Sequence, residues 1–190
     1  MRMVLERSES ELVAACRRGE RDGFRELFEL YKDKVYSVAL RFAGQPAEAM
    51  DIAQDTFLKL FSSLADFRGD SRLETWIYRL VVNRCLDQRR RARRWLPLGE
   101  GFRSTLRATG DSLAEVLREE RNGRVQEAVD GLAPDLRIVV VLRYTEGMSY
   151  DQIAEVLGCA AGTVASRLHR AHKLLERSLS NLDGKGGEHV

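Results

Sequence analysis

Within DIAQDTFLKLF, Asp51 and Asp55 stand four residues apart, with Gln54 and Lys59 beside them. That spacing puts the four on related faces of one helix. Two carboxylates a turn apart can hold a metal ion or exchange protons. No nucleophile, histidine or phosphate-binding loop accompanies them, so the chain is read as a non-enzyme. A solvated polar stripe and a protein-docking surface are the readings left for this face.

Another set of polar groups lies in TVASRLHRAHKLLE. Val164, Leu168, Ala171 and Leu175 share one helical face, and Ser166, His169, Arg170 and Lys173 the opposite one. The latter are donors able to reach base edges or phosphates. Arg167 falls at the boundary, where a phosphate or a carboxylate of the same chain suits it. Thr163 is the expected cap of this helix. His169 and His172 near Cys159 raise the question of zinc, but no second cysteine pair stands at finger spacing, and no metal site is expected.

The segment FRGDSRLETWIYRLVVNRCLDQRRRARR adds a polar loop (Phe67, Arg68, Gly69, Asp70, Ser71) before a helix. Asn83 and Asp87 are a turn apart on that helix, and the run Arg89–Arg94, including Arg90 and Arg91, closes it. Aromatic and basic groups together suit unpaired nucleic acid, through stacking and phosphate attraction. Trp76 sits in the apolar stripe and is read as core.

These groups need helices to position them. With three prolines in 190 residues and apolar residues at three- and four-residue spacing, the chain is expected to be all-α. Ser8 with Glu11 forms a candidate capping box, and Gly19 a stop. A helix is expected over Asp22 to Ala43, with Phe24, Leu27, Phe28, Tyr31, Val35 and Val38 inward, until Gly44-Gln45-Pro46 breaks it. The next buries Ile52, Ala53, Phe57, Leu60, Phe61 and Leu64. A fourth carries Leu73, Trp76, Ile77, Leu80, Val81 and Leu86, and the four are expected to enclose one core. Residues 95–111 read as a flexible linker. The apolar run Ile138–Leu142 suits a buried strand or a helix; Pro134, at home in a first turn, tips it to helix. Ser149 and Gln152 fit a second capping box opening a helix at Tyr150. Gly158 ends it, small Ala154 allows a close crossing, and Val164 plugs the bend: the helix-turn-helix pattern. The expected organisation is 1–94 and 112–182 as two small helical domains, with a disordered tail over 183–190.

The net charge of +2 says little about partners, so local charge must carry that argument. Cys16, Cys85 and Cys159 are odd in number and widely spaced, which fits buried thiols in a reducing compartment. No apolar stretch is long enough to span a membrane and the start lacks a signal core, so a cytoplasmic chain without direct membrane insertion is expected.

Taken in order, these segments resemble a bacterial sigma factor of the sigma-70 family, in the extracytoplasmic-function (ECF) class. FRELFELYKDKVYSVALRF, DIAQDTFLKLF and FRGDSRLETWIYRLVVNRCLD resemble successive parts of region 2. LAPDLRIVVVLRYTEGMSYDQIAEVLGCAAGTVASRLHRAHKLL resembles region 4. No separate region 3 domain intervenes, which marks the ECF class. The resemblance implies a factor that binds core RNA polymerase, through its beta-prime and beta subunits, and directs it to promoters without a cofactor. Asp51, Gln54, Asp55 and Lys59 would dock on the beta-prime coiled coil. Phe67–Ser71, Asn83, Asp87, Arg90 and Arg91 would read the −10 element, capturing a flipped base. Thr163, Ser166, Arg167, His169, Arg170 and Lys173 would read the −35 duplex. The linker would thread toward the polymerase active centre. An anti-sigma factor is implied as the controlling partner, and could hold the chain at the inner membrane.

Ala165 and His172 depart from the family pattern, which often has Lys or Arg at the first and Arg at the second. Both remove positive charge and imply a weaker or altered −35 preference; His169 and His172 would add a pH-sensitive charge. The alternative is a helix-turn-helix regulator that does not dock on polymerase. It leaves the Asp51–Phe61 face and the arginine run unexplained.

Overall fold

The computed structural model describes residues 7–95 and 123–183, with side chains through 91 in the first stretch and 180 in the second. Among these residues there are helices and turns and no strand. The expected linker and tail fall outside the described residues but for Trp95 and Asp183, which end helices. So does the start of the second helical unit.

Helix α1 spans Glu9–Arg17. Both halves of its capping box are made: the Glu11 amide donates to Ser8 Oγ at 3.3 Å, and the Ser8 amide to the Glu11 carboxylate at 2.7 Å. Helix α2 runs Arg21–Ala43 and stops at Gly44, whose φ of 77° is the left-handed conformation. Pro46 then supplies the first turn of α3, Pro46–Ser63, where its missing N–H costs nothing. A 3-10 turn over Leu64–Asp66 leads into the polar loop, and α4 runs Leu73–Trp95.

The second stretch opens with α5, helical over residues 123–130. Helix α6 spans Pro134–Tyr144, and every residue from Leu136 to Leu142 is buried. The β-branched run is thus a helix enclosed on all sides, which periodicity alone does not distinguish from a strand. Helix α7 is Tyr150–Leu157 and α8 is Ala161–Asp183. The Ser149–Gln152 capping box is made at 3.2 and 2.8 Å. Gly158 has φ 63° and ψ 38°, so the chain leaves α7 through a left-handed residue.

One expectation about α8 is corrected. The helix begins at Ala161, so Thr163 lies within its first turn rather than capping it. The Ala160 carbonyl accepts from both the Thr163 and Val164 amides, which starts the helix earlier. Two burial expectations also change. Phe28 is 40% exposed, and Cys159, just past the bend, is only half-buried. Burial raises the thiol pKa of Cys16, and that of Cys85 to about 12.

The buried apolar cluster is continuous from α1–α4 into α6–α8. Helix α7 packs on α4, and α6 on α2. One joint is at the end of α2. Arg137, 3% exposed on α6, donates to the Phe42 carbonyl at 2.7 Å and to the Asp130 carbonyl, and is ion-paired with the Asp130 carboxylate at 3.1 Å. Its guanidinium also lies over the Phe42 ring. Burial lowers the Arg137 pKa to about 10 and raises that of Asp130, so burial disfavours both charges and the surrounding hydrogen bonds must offset it. A second joint is formed by α4: Tyr78 Oη donates to Glu146 at 2.5 Å and Arg79 Nε to the Glu155 carbonyl at 3.1 Å. Burial, then the bond to Glu146, raises the Tyr78 pKa.

Candidate nucleic-acid and protein interfaces

Helix α3 separates its sequence into two faces. Ile52, Ala53, Thr56, Phe57 and Leu60 are buried, while Asp51, Gln54, Asp55 and Lys59 are all exposed. Thr56 is polar but satisfied, donating to the Ile52 carbonyl at 2.7 Å. Asp55 lies 3.8 Å from Arg84 of α4, a partly exposed pair. Among the described residues no three metal-ligating side chains are grouped as a metal site.

Beside this polar face runs an apolar groove of about 450 Å³ between α2 and α3. Phe28, Met50 and Leu58 contribute large exposed apolar surface to it, at 40, 59 and 61%. Helical spacing in the sequence places Phe28 inward and says nothing of Met50 and Leu58, whereas all three line this groove. The available signal was Met50, Gln54 and Leu58 at i, i+4 and i+8, a stripe offset from the buried one.

The polar loop lies between the 3-10 turn and α4. Phe67 is buried, its ring tilted against Trp76 with centroids 5.1 Å apart. Trp76 is half-buried, packed against the core as its place in the stripe requires. Arg68, Gly69 and Asp70 are exposed, and Ser71 is half-buried. Farther along α4, Asn83 is exposed, and Asp87 is paired with Arg90 at 3.2 Å. Arg90 and Arg91 are exposed. Arg68, Asp70, Asn83, Arg90 and Arg91 are thus open to solvent, three of them cationic.

On α8, Val164, Leu168 and Ala171 are fully buried and Leu175 is half-buried. Ser166, His169, Arg170 and Lys173 are exposed. Thr163 is half-buried, and its carbonyl accepts from Ser166 Oγ at 2.9 Å. Arg167 faces Asp135 of α6 at 3.7 Å, the intramolecular carboxylate its boundary position suggested. His172 Nε2 is 2.8 Å from Tyr144 Oη, so that ring is tied to α6. With α7 crossing behind α8, the pair presents one cationic helix face to solvent, as entry into a major groove requires.

Both stretches of the chain match known protein families. Residues 27–95 match the family Sigma-70 region 2, and residues 122–175 match Sigma-70, region 4. The RNA polymerase sigma-H factor of Pseudomonas aeruginosa is 32% identical over 189 residues, covering 95% of this chain and 98% of that protein. The ECF RNA polymerase sigma-E factor of Haemophilus influenzae is 31% identical, covering 95% of this chain and 100% of its own. The chain belongs to the sigma-70 family, as an ECF sigma factor.

Among solved structures, CnrH in complex with the cytosolic domain of CnrY superposes with a TM-score of 0.67 at 25% identity. The match covers 91% of this sigma factor and 97% of CnrH. Both regions of the sigma factor thus correspond to described helices, and the exposed polar faces of α3, loop-plus-α4 and α8 fall within the matched segments. No described helix is long and apolar enough to cross a membrane.

Proposed function

We propose that three separate faces of this sigma factor divide the work of promoter selection. The α3 face, with Asp51, Gln54, Asp55 and Lys59, docks on the beta-prime subunit of core polymerase. The groove of Phe28, Met50 and Leu58 supplies the apolar centre of that contact, and the carboxylates its polar rim, the usual composition of a protein interface. The loop Phe67–Ser71 with Asn83, Asp87, Arg90 and Arg91 captures the opened −10 strand. On α8, Ser166, His169, Arg170 and Lys173 read the −35 duplex, with Thr163 and Arg167 at the edge of that face. Residues 1–94 and 112–182 act as the two reading domains, and 95–111 as the connection between them.

One observation carries this reading: Asp51, Gln54, Asp55 and Lys59 of α3 and Ser166, His169, Arg170 and Lys173 of α8 are exposed opposite a largely buried apolar face. A regulator acting without polymerase would have no use for the α3 face and its groove. The partner polymerase places the protein in the cytoplasm. CnrH was solved with the cytosolic domain of CnrY bound, and the family supports control of this chain by an anti-sigma factor.

The test is transcription by core polymerase, with and without this protein, on fragmented DNA from its own genome. New discrete start sites are expected, with both promoter elements recoverable upstream. Asp55→Ala should lower core-polymerase affinity in a binding titration while leaving the thermal unfolding midpoint unchanged. Failure to bind core polymerase would return the assignment to a free-standing regulator.

A further inference from the structure

Helix α1 lies along the polar loop. Glu9, Val13 and Arg17 are spaced i, i+4 and i+8 and so form one stripe. Val13 is buried. At one end of the stripe, Arg17 donates through Nε to the Leu64 carbonyl at 3.4 Å and through its terminal nitrogen to the Phe67 carbonyl. At the other end, the Glu9 carboxylate accepts from the Leu73 amide at 2.8 Å, the first N–H of α4. The loop is therefore held at its entry and its exit by two side chains of the same helix. Between α1 and the loop lies an open cavity of about 500 Å³, lined by Ser8, Glu9 and Arg17 on one side and Phe67, Gly69 and Ser71 on the other.

We infer that α1 is the second wall of the −10 reader, and that Arg17 and Glu9 are positioning residues that hold the loop in its base-capturing shape. The inference rests on the reading of Phe67–Ser71 as the −10 loop. Its exposed tip of Arg68, Gly69 and Asp70 has little packing of its own, so its geometry is set by the ends. A pocket for one unstacked nucleobase needs walls held to within a fraction of an ångström. Arg17 suits the entry end because a planar guanidinium can span two carbonyls, which a lysine ammonium does not reproduce. Glu9 suits the exit end because a carboxylate strongly satisfies an otherwise orphan helix N–H. Both act through backbone atoms, so the loop side chains remain available to the base.

The experiment uses holoenzyme assembled from core polymerase and the full chain. The DNA is a promoter fragment carrying 2-aminopurine at each non-template position of the −10 element in turn; extrusion of that base raises its fluorescence. Arg17→Ala and Glu9→Ala should each reduce extrusion severalfold, because the loop would no longer be held at that end. Arg17→Lys should remain defective, and Glu9→Gln, which keeps an acceptor oxygen, should recover most of the signal. Core-polymerase affinity and binding to a −35 duplex should not change. Wild-type extrusion by Arg17→Ala and Glu9→Ala, beside a defective Arg68→Ala/Ser71→Ala loop variant, would overturn the inference and leave the −10 reading standing. Wild-type extrusion by the loop variant as well would remove both. A loss in Glu9→Ala that Glu9→Gln does not restore, with a matching fall in core affinity, would make α1 structural only and overturn the inference.

Discussion

Arg170 and Arg167 show why neighbours of one type are not equivalent. Arg170 is exposed on the open face of α8, whereas Arg167 is turned toward Asp135 and largely covered. On the proposed reading, Arg170→Ala should weaken −35 binding by about 1–3 kcal/mol and relax preference at one base pair. Gel-shift titration of holoenzyme on single-base promoter variants would measure this. An equal loss on every sequence would instead mark Arg170 as a phosphate contact. The environment of His172 has the same lesson: it is exposed, yet its ring is held by Tyr144 of α6.

At the scale of elements, α3 and the end of α2 have opposite tolerances. The α3 face is exposed, so its substitutions should affect partners more than the fold. Leu58→Glu puts a charge into the apolar groove and should weaken core-polymerase binding by about tenfold or more if Leu58 is an anchor of that contact. Its thermal midpoint should stay near wild type, since Leu58 is 61% exposed. Calorimetry of binding and of unfolding would separate the two effects. Gly44, by contrast, is constrained twice. Its φ is 77°, and a Cβ there would meet an Asp130 carboxylate oxygen at 2.7 Å. Gly44→Ala should cost about 1–2 kcal/mol from the left-handed backbone alone. The clash with Asp130 should add to that, seen as a lower midpoint in denaturant titration.

For the whole molecule, the decisive contact is Arg137. It ties α6 to the Phe42 carbonyl of α2, 95 residues away in sequence, and to Asp130 beside Gly44. Removing one member of a buried ion pair costs about 3–5 kcal/mol, because the other charge is left uncompensated. Arg137→Ala should show that loss in urea unfolding and should also loosen the joint between the two sets of helices. Small-angle scattering would then report a larger radius of gyration. Unchanged dimensions would show that the Tyr78–Glu146 and Arg79–Glu155 contacts suffice to hold the joint.

Sequence by itself determined the features that depend on neighbours within a turn or two. Both capping boxes, the stop at Gly44, the bend at Gly158 and the opposed faces of α3 and α8 follow from local hydrogen bonding and helical period. The helical identity of Ile138–Leu142 came from Pro134 and its helical surroundings, since a run buried on every side has no period to read. Only tertiary structure decided what lies between distant segments. It placed Phe28 at the rim of a groove rather than in the core, because Met50 and Leu58 pack beside it without covering it. It set α1 along a loop 50 to 64 residues away, and buried an arginine that composition would have left in water. Those outcomes depend on which helix faces meet, and no local propensity encodes that meeting.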